Sequence, residues 1–313
     1  MASSTSVVLA ALFANGAIAI LKFGGFLLTG SPAMLSETYH SISDTGNQVF
    51  LLIGIKYGAQ DANRTHPFGH GKAQFFYSFL VSVILFGIAG WESARHGYEA
   101  LQEGGVHRAA GDVTLLGATF DPVYVNYVVL IGAIVFETYA LKKANDGLSR
   151  QMDEHGWETY REAFRKTSDV TTLTAFTEDS IALAGAGIAL AGVYLTRVTG
   201  NGLYDAAAAL LIGFLLMGFA IALAWENKRL LLGESLPAPA ESELRDIIAD
   251  GDGVREIVDF RTVYFGPEEL LVVADVRFDP GLDTGEIDDR ITEIEAALTA
   301  HSSQVQRVYV EPE

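Results

Sequence analysis

Residues 32–58 read PAMLSETYHSISDTGNQVFLLIGIKYG, and the fold turns on how this stretch is understood. A hydropathy window scores it weakly, because Glu37, His40, Asp44, Asn47 and Gln48 interrupt it. The polar positions are not scattered. Residues 37, 40, 44 and 47 follow the 3–4–3 spacing of one helical face, while Met34, Leu35, Ile42, Val49, Phe50, Leu52 and Ile53 occupy the other faces. The pattern predicts a helix whose wet stripe is turned toward the interior of a bundle.

The flanking sequence says what kind of bundle. Five runs are apolar over close to the ~20 residues that cross hydrocarbon. They are roughly Val7–Leu28, Phe75–Gly97, Val123–Leu141, Thr171–Thr196 and Tyr204–Trp225. With Pro32–Gly58 as the second, six membrane spans are expected. The first run lacks the charged start and cleavage site of a leader and is long enough to stay as a span. Basic residues set the orientation. Lys142, Lys143, Arg150, Arg161, Arg165 and Lys166 follow the fourth span, in what reads as a loop. Arg64 and Lys72 follow the second, and Lys228 and Arg229 the sixth. The opposite side carries only Arg108 and Arg197, with Arg95 near one end, so both termini are expected in the cytoplasm. Ala182, Gly185, Gly187 and Gly192 crowd the fifth span and permit close helix packing.

After Pro237 and Pro239 the pattern changes. Glu241–Ala249 reads as a short helix, Val254–Phe265 and Leu270–Phe278 as strands parted by a Gly266-Pro267 turn, and Val305–Val310 as a third strand. Asp283 with Glu286 is a capping box opening a helix that runs to about Ala300. The expected order is αββαβ, a small two-layer α+β domain over residues 233–313, behind a transmembrane domain over residues 1–232. The net charge of −18 is concentrated there: residues 234–313 hold 20 acids against 6 arginines and no lysine. Such a surface repels nucleic acid and suits a salt-rich cytosol, which points to a salt-adapted prokaryote. Zero cysteines exclude disulfides, thiolate metal sites and a cysteine nucleophile.

Three groups of residues carry chemistry. His40 and Asp44 stand four apart on the polar face of the second span and can grip one ion, or can simply hydrogen-bond between helices. Glu178 and Asp179 lie in the fifth span, where nothing nearby in sequence neutralises them. Ionised carboxylates are costly in hydrocarbon, and a divalent cation shared with His40 and Asp44 resolves that cost. The loop RTHPFGHGK at 64–72 brings His66 and His70 four apart in a Gly/Pro-bound turn, which suits either a second, peripheral metal or the shaping of a turn.

The His40-x-x-x-Asp44 motif, the loop HPFGHGK at 66–72, six spans and an αββαβ tail together resemble the cation diffusion facilitators. The resemblance covers essentially the whole chain. It implies a homodimer of proton-coupled exporters in the cell membrane with a metallochaperone-like tail. It makes His40, Asp44 and Asp179 ligands of the transported ion, and makes Lys72 and Asp205 an ion pair between the third and sixth spans. The chain also departs from the family pattern. Ala175 stands where most members have a His or Asp, and Glu178 lies beside Asp179 instead. With Glu137 in the fourth span, this resembles the zinc transporter 9 branch. The fourth ligand is then Asn47, Glu178 or water. Asn63 replaces an acid before the loop histidines, and His301 is the sole histidine of the tail, which argues against a binuclear cluster there.

One imidazole with carboxylates and no sulfur argues against Cu(I) and suits Zn²⁺, Cd²⁺, Co²⁺, Mn²⁺ or Fe²⁺, with zinc favoured by the resemblance. No cofactor is expected beyond the transported ion. An intramembrane metallohydrolase is the enzymatic rival, but the chain has no His-Glu-x-x-His helix. A membrane-bound metal sensor or scaffold without transport is the other alternative.

Overall fold

A computed structural model describes residues 2–105, 113–115, 118–155, 158–160, 163, 170–267 and 269–313, with the side chains of 2–11, 113–120, 154–155 and 170–175 outside that description. Helix α1 runs Ala2–Thr29 and α2 runs Pro32–Gly58. The four residues Thr29-Gly30-Ser31-Pro32 make the break between them. Gly30 takes φ +67 and its N–H returns to Phe26 O at 2.7 Å, a left-handed helix stop. The Ser31 hydroxyl then accepts from Met34 N at 3.1 Å, capping α2, and Pro32 occupies its first turn, where no N–H is needed. The 27 residues of α2 reach roughly 40 Å at 1.5 Å per residue.

The third apolar run is one helical rod in three pieces: α3 (Lys72–Ile84), a π-helical segment (Leu85–Gly90) and α4 (Trp91–Gln102). Strands β1 (Val113–Leu115) and β2 (Ala118–Phe120) form a short antiparallel hairpin that the hydropathy pattern does not announce. Helix α5 (Val123–His155) is longer than the apolar run within it. Lys142, Lys143 and Arg150 therefore sit on its C-terminal turns and not in a loop, while Arg161, Arg165 and Lys166 lie outside the described residues. Helices α6 (Val170–Thr199) and α7 (Leu203–Leu232) follow. Among the described residues, five stretches are long and apolar enough to cross a membrane: Leu12–Thr29, Lys72–Gln102, Val123–Asp153, Phe176–Thr199 and Leu203–Leu232. The polar stripe keeps α2 out of that set.

The chain divides into two compact units, Met1–Leu52 with Leu80–Ala224, and Ile53–Phe79 with Trp225–Glu313. In the first, α5 packs along α6 and α1 packs against α5. Its core is small: Ala33, Met34, Leu85, Ala89, Leu130, Ala189, Val193, Ala208, Ile212, Leu216 and Ala220. Large apolar side chains such as Phe13, Val128, Val135 and Phe214 point outward, as a lipid-facing surface requires. Helices α4 and α7 approach closely along a seam. A Cβ on Gly97 would stand 2.4 Å from Leu210 N, and one on Gly213 would stand 2.3 Å from Ala94 N. Only glycine allows backbones to meet at that distance.

In the second unit, α8 (Ala238–Ala249), β3 (Val254–Gly266), β4 (Glu269–Phe278), α9 (Thr284–His301) and β5 (Val305–Pro312) form a small α+β fold in the order αββαβ. The sheet order is β3-β4-β5, with β3/β4 antiparallel and β4/β5 parallel. The parallel pair needs a crossover, and α9 supplies it. Asp283 caps α9, its side chain accepting from Gly285 N and Glu286 N while Glu286 returns to Asp283 N. Leu244, Ile248, Phe260, Leu270, Val272, Val276, Ile294, Leu298 and Val305 close a core between helices and sheet.

Candidate metal-transport site

The first half of the wet stripe of α2 is buried, and Asp44 and Asn47 beyond it are half-buried. His40 is 2% and Glu37 0% exposed, and the intervening turn carries the hydroxyls of Thr38 and Ser41, also buried. Thr38 returns its hydroxyl to Met34 O at 2.8 Å and Thr45 to Ser41 O at 2.8 Å, so these groups are satisfied within the helix. His40 Nε2 stands 3.6 Å from Asp44 Oδ2, one turn on. Helix α6 starts at Val170, more than two turns before Glu178, so Glu178 and Asp179 are interior helix residues. Asn47 Nδ2 donates to Glu178 Oε1 at 3.4 Å and ties α2 to α6.

The charges surrounding this junction come from four helices. Those acting on Asp44 are Lys22, Glu37 and Asp179. Those acting on Glu137 of α5 are Asp44, Lys22, His40 and Asp179. Among the described residues, no three His, Asp or Glu side chains converge closely enough to hold one ion in this conformation. What is gathered is a pair, His40 with Asp44, faced by a second pair, Asn47 with Glu178.

One member escaped the sequence reading. Lys22 lies in the first apolar run and donates to Glu37 Oε2 at 2.7 Å, with the two side chains 4% and 0% exposed. A lone lysine in an apolar run, fifteen residues before a buried glutamate, was the available signal. Removing one partner of such a buried pair costs roughly 3–5 kcal/mol, because the other charge is left uncompensated.

The 66–72 loop is organised by Asn63. Its side-chain oxygen accepts from Thr65 N at 2.9 Å, the Thr65 hydroxyl at 2.7 Å and His66 N at 2.9 Å. The His66 and His70 rings come within 4.2 Å, centroid to centroid. Their Nδ1 atoms are occupied locally, His66 by the Thr65 hydroxyl at 3.1 Å and His70 by Gln60 O at 3.3 Å. His70 is buried and His66 exposed.

Lys72 and Asp205, the expected ion pair, fall in different units, and each has its own partners. Lys72 Nζ donates to Leu231 O at 3.5 Å and lies 5.1 Å from the centre of the Phe265 ring. Asp205 accepts from the Ser31 hydroxyl at 2.9 Å, and its N–H donates to the Thr196 hydroxyl. His301, the tail's histidine, is exposed and lies 3.6 Å from Glu243.

Comparison with known proteins agrees with this architecture. The cation efflux transmembrane domain matches residues 8–232. The Homo sapiens proton-coupled zinc antiporter SLC30A9, mitochondrial, is 30% identical over 273 residues, which are 87% of this chain and 46% of that protein. Metal tolerance protein C4 of Arabidopsis thaliana is 26% identical over 278 residues, 88% of this chain and 57% of that protein. The cation-efflux pump FieF of Escherichia coli O127:H6 is 25% identical over 260 residues, 81% and 74% of the two chains. The chain spans about half the length of the first two relatives. It belongs to the cation efflux family, the cation diffusion facilitators, and resembles the zinc transporter 9 branch within it.

Proposed function

We propose that this chain moves a divalent metal cation, zinc before others, out of the cytoplasm in exchange for protons. The observation that carries the proposal is the buried His40–Asp44 pair on α2, set against Glu178 of α6 through Asn47. The names of its relatives, a proton-coupled zinc antiporter and a cation-efflux pump, support the same reading. In it, α2 crosses the membrane as a sixth span despite its low hydropathy, because its polar face is sheltered by α1 and α6. The transmembrane domain ends at residue 232, the acidic tail from residue 233 and both termini lie in the cytoplasm, and the carrier is a homodimer in the cell membrane of a salt-adapted prokaryote.

The ligands in this proposal are His40, Asp44 and Asp179, with Glu178 or Asn47 completing the set. The imidazole offers a neutral nitrogen and the carboxylates offer charge, which together suit a borderline divalent ion. Ligation requires these groups to be free of protons, so release of the ion on the far side lets protons return to the same atoms. Protonated carboxylates can then cross back through the low-dielectric interior without the cost of unpaired charge. His66 and His70 remain a second, peripheral metal site in this proposal, and no cofactor is required. Reconstitution into vesicles with an imposed pH gradient tests it, with Zn²⁺, Cd²⁺, Co²⁺, Mn²⁺ and Fe²⁺ offered in turn. Zinc flux that follows the gradient is the expected result. Binding without flux would assign the chain to a metal sensor or scaffold instead, and substrate turnover without flux to a hydrolase.

A further inference from the structure

The polar face of α2 is not buried evenly along its length. Ser36, Glu37, Thr38, His40 and Ser41 are buried, whereas Asp44, Thr45, Asn47 and Gln48 are half-buried. The closed end is the one that begins at Pro32. There the buried Lys22–Glu37 pair joins α1 to α2, about one turn before His40. Helix α6 packs directly over it: a Cβ on Gly185 would stand 2.6 Å from Glu37 Oε1, so no side chain fits between. One layer farther along, a Cβ on Gly25 would stand 2.7 Å from Met34 Cε and 2.8 Å from Asn126 Oδ1, so α1, α2 and α5 are in contact at that level. The Thr29 hydroxyl accepts from Asn126 Nδ2 at 2.9 Å, and the Ser31 hydroxyl donates to Asp205 at 2.9 Å. These two bonds tie the turn between α1 and α2 to α5 and α7.

We propose that Lys22 and Glu37 are gating residues: their ion pair shuts the ion path on the side away from the cytoplasm, and this structure is the state open to the cytoplasm. The inference rests on the proposed transport and orientation, which put Pro32 at the outer end of α2 and Gly58 at the inner end. An ion pair suits a gate that must open as well as close. While buried, Lys22 and Glu37 neutralise each other across 2.7 Å and add no net charge beside His40. When the outer path fills with water, each charge regains hydration that offsets the lost pairing, because pairing between hydrated charges is worth little. Two apolar side chains in their place would gain nothing on opening, since exposing them to water is unfavourable throughout.

The chain contains no cysteine, so a single introduced thiol reports alone. Ser36→Cys samples the face of His40 one turn toward the outer end, and Thr45→Cys samples the half-buried end. The full-length, metal-free protein in right-side-out and inside-out membrane vesicles is exposed to a membrane-impermeant maleimide. Thr45→Cys should react from the cytoplasmic face, and Ser36→Cys from neither. Adding Glu37→Gln, which breaks the pair, should speed the reaction of Ser36→Cys from the outer face by about tenfold or more, as the open population rises. Unchanged reactivity in that folded variant overturns the inference, as does a Thr45→Cys that reacts only from outside. The double variant Lys22→Met/Glu37→Leu leaves no orphaned charge to unfold the protein. It should bind Zn²⁺ as tightly as wild type yet lose flux by about tenfold or more, held shut on the outer side. Full flux in it would make the pair merely structural, and lost Zn²⁺ binding would make it part of the ion site; either result overturns the gate. Wild-type zinc flux in the same vesicles separates the two levels. Its absence would sink the transport reading itself, whereas flux with the contrary labelling pattern sinks only the gate.

Discussion

Asp44 and Glu178 pose different questions of the same site. Asp44 shares a helical turn with His40 and contributes a carboxylate that no other residue on that turn replaces. Asp44→Ala should reduce vesicle metal uptake to the protein-free background while leaving the size-exclusion profile of the purified protein unchanged. Uptake at the wild-type rate would remove Asp44 from the site. Glu178 is already engaged by Asn47 at 3.4 Å, so it either enters the ion's shell with that amide as its support or serves as a contact between α2 and α6. Glu178→Gln keeps the shape and removes the charge. Weakened equilibrium binding, nearly matching that of Asp179→Asn, is the expected outcome. Full affinity together with lost pH-driven exchange would instead make Glu178 a proton-handling residue.

At the scale of elements, the glycines divide into two classes that sequence alone treats alike. A Cβ on Gly97 or Gly213 would meet backbone atoms of the facing helix at 2.4 and 2.3 Å, whereas one on Gly187 would meet nothing within 4 Å. Gly213→Ala or Gly97→Ala should destabilise the purified protein by about 1–3 kcal/mol, the usual cost of forcing extra atoms into a packed contact. Gly187→Ala should be neutral, and thermal unfolding in detergent compares them. The proposed Lys72–Asp205 ion pair makes a second prediction. If the two charges pair, a double-mutant cycle of Lys72→Met and Asp205→Asn should give a coupling energy above about 0.5 kcal/mol, whereas effects on stability that add to within about 0.3–0.5 kcal/mol would remove the pair.

For the molecule as a whole, charge and pH govern the tail. The core of the α+β domain lies entirely within residues 236–310, so a fragment of residues 234–313 carries its own apolar core. With 20 acids and 6 arginines, that fragment repels itself, and the repulsion lengthens in range as salt is withdrawn. Its dichroism spectrum should lose structure on desalting, and a spectrum indifferent to salt would count against this. Calorimetry at high salt should find only weak metal binding, because among the described residues His301 has Glu243 as its one carboxylate neighbour, at 3.6 Å. The pH dependence has a specific contributor. Burial raises the pKa of Glu269, with Arg307 opposing the shift. The fold therefore favours the protonated acid. That contribution is fully present below the ordinary glutamate range and is lost as pH rises through the raised value. In the full-length protein, Glu269→Gln should flatten the fall in thermal midpoint as pH rises above the ordinary glutamate range. A profile parallel to wild type would show that Glu269 does not contribute.

The periodic elements were legible because their signals are local. The stripe at 37, 40, 44 and 47 needs only helical geometry to put four polar groups on one face, and the Asp283–Glu286 capping box needs only three residues of spacing. The acidic tail and the apolar runs are likewise properties of composition. The seam of α4 on α7, the bond from Asn47 to Glu178 and the buried Lys22–Glu37 pair join residues far apart in the chain, and nothing in their local spacing encodes the partner. Sequence by itself determined which faces had to be hidden from lipid and where helices had to stop. Only the tertiary structure decided which buried groups face one another, because electrostatic and packing energies depend on distances that the order of residues does not contain.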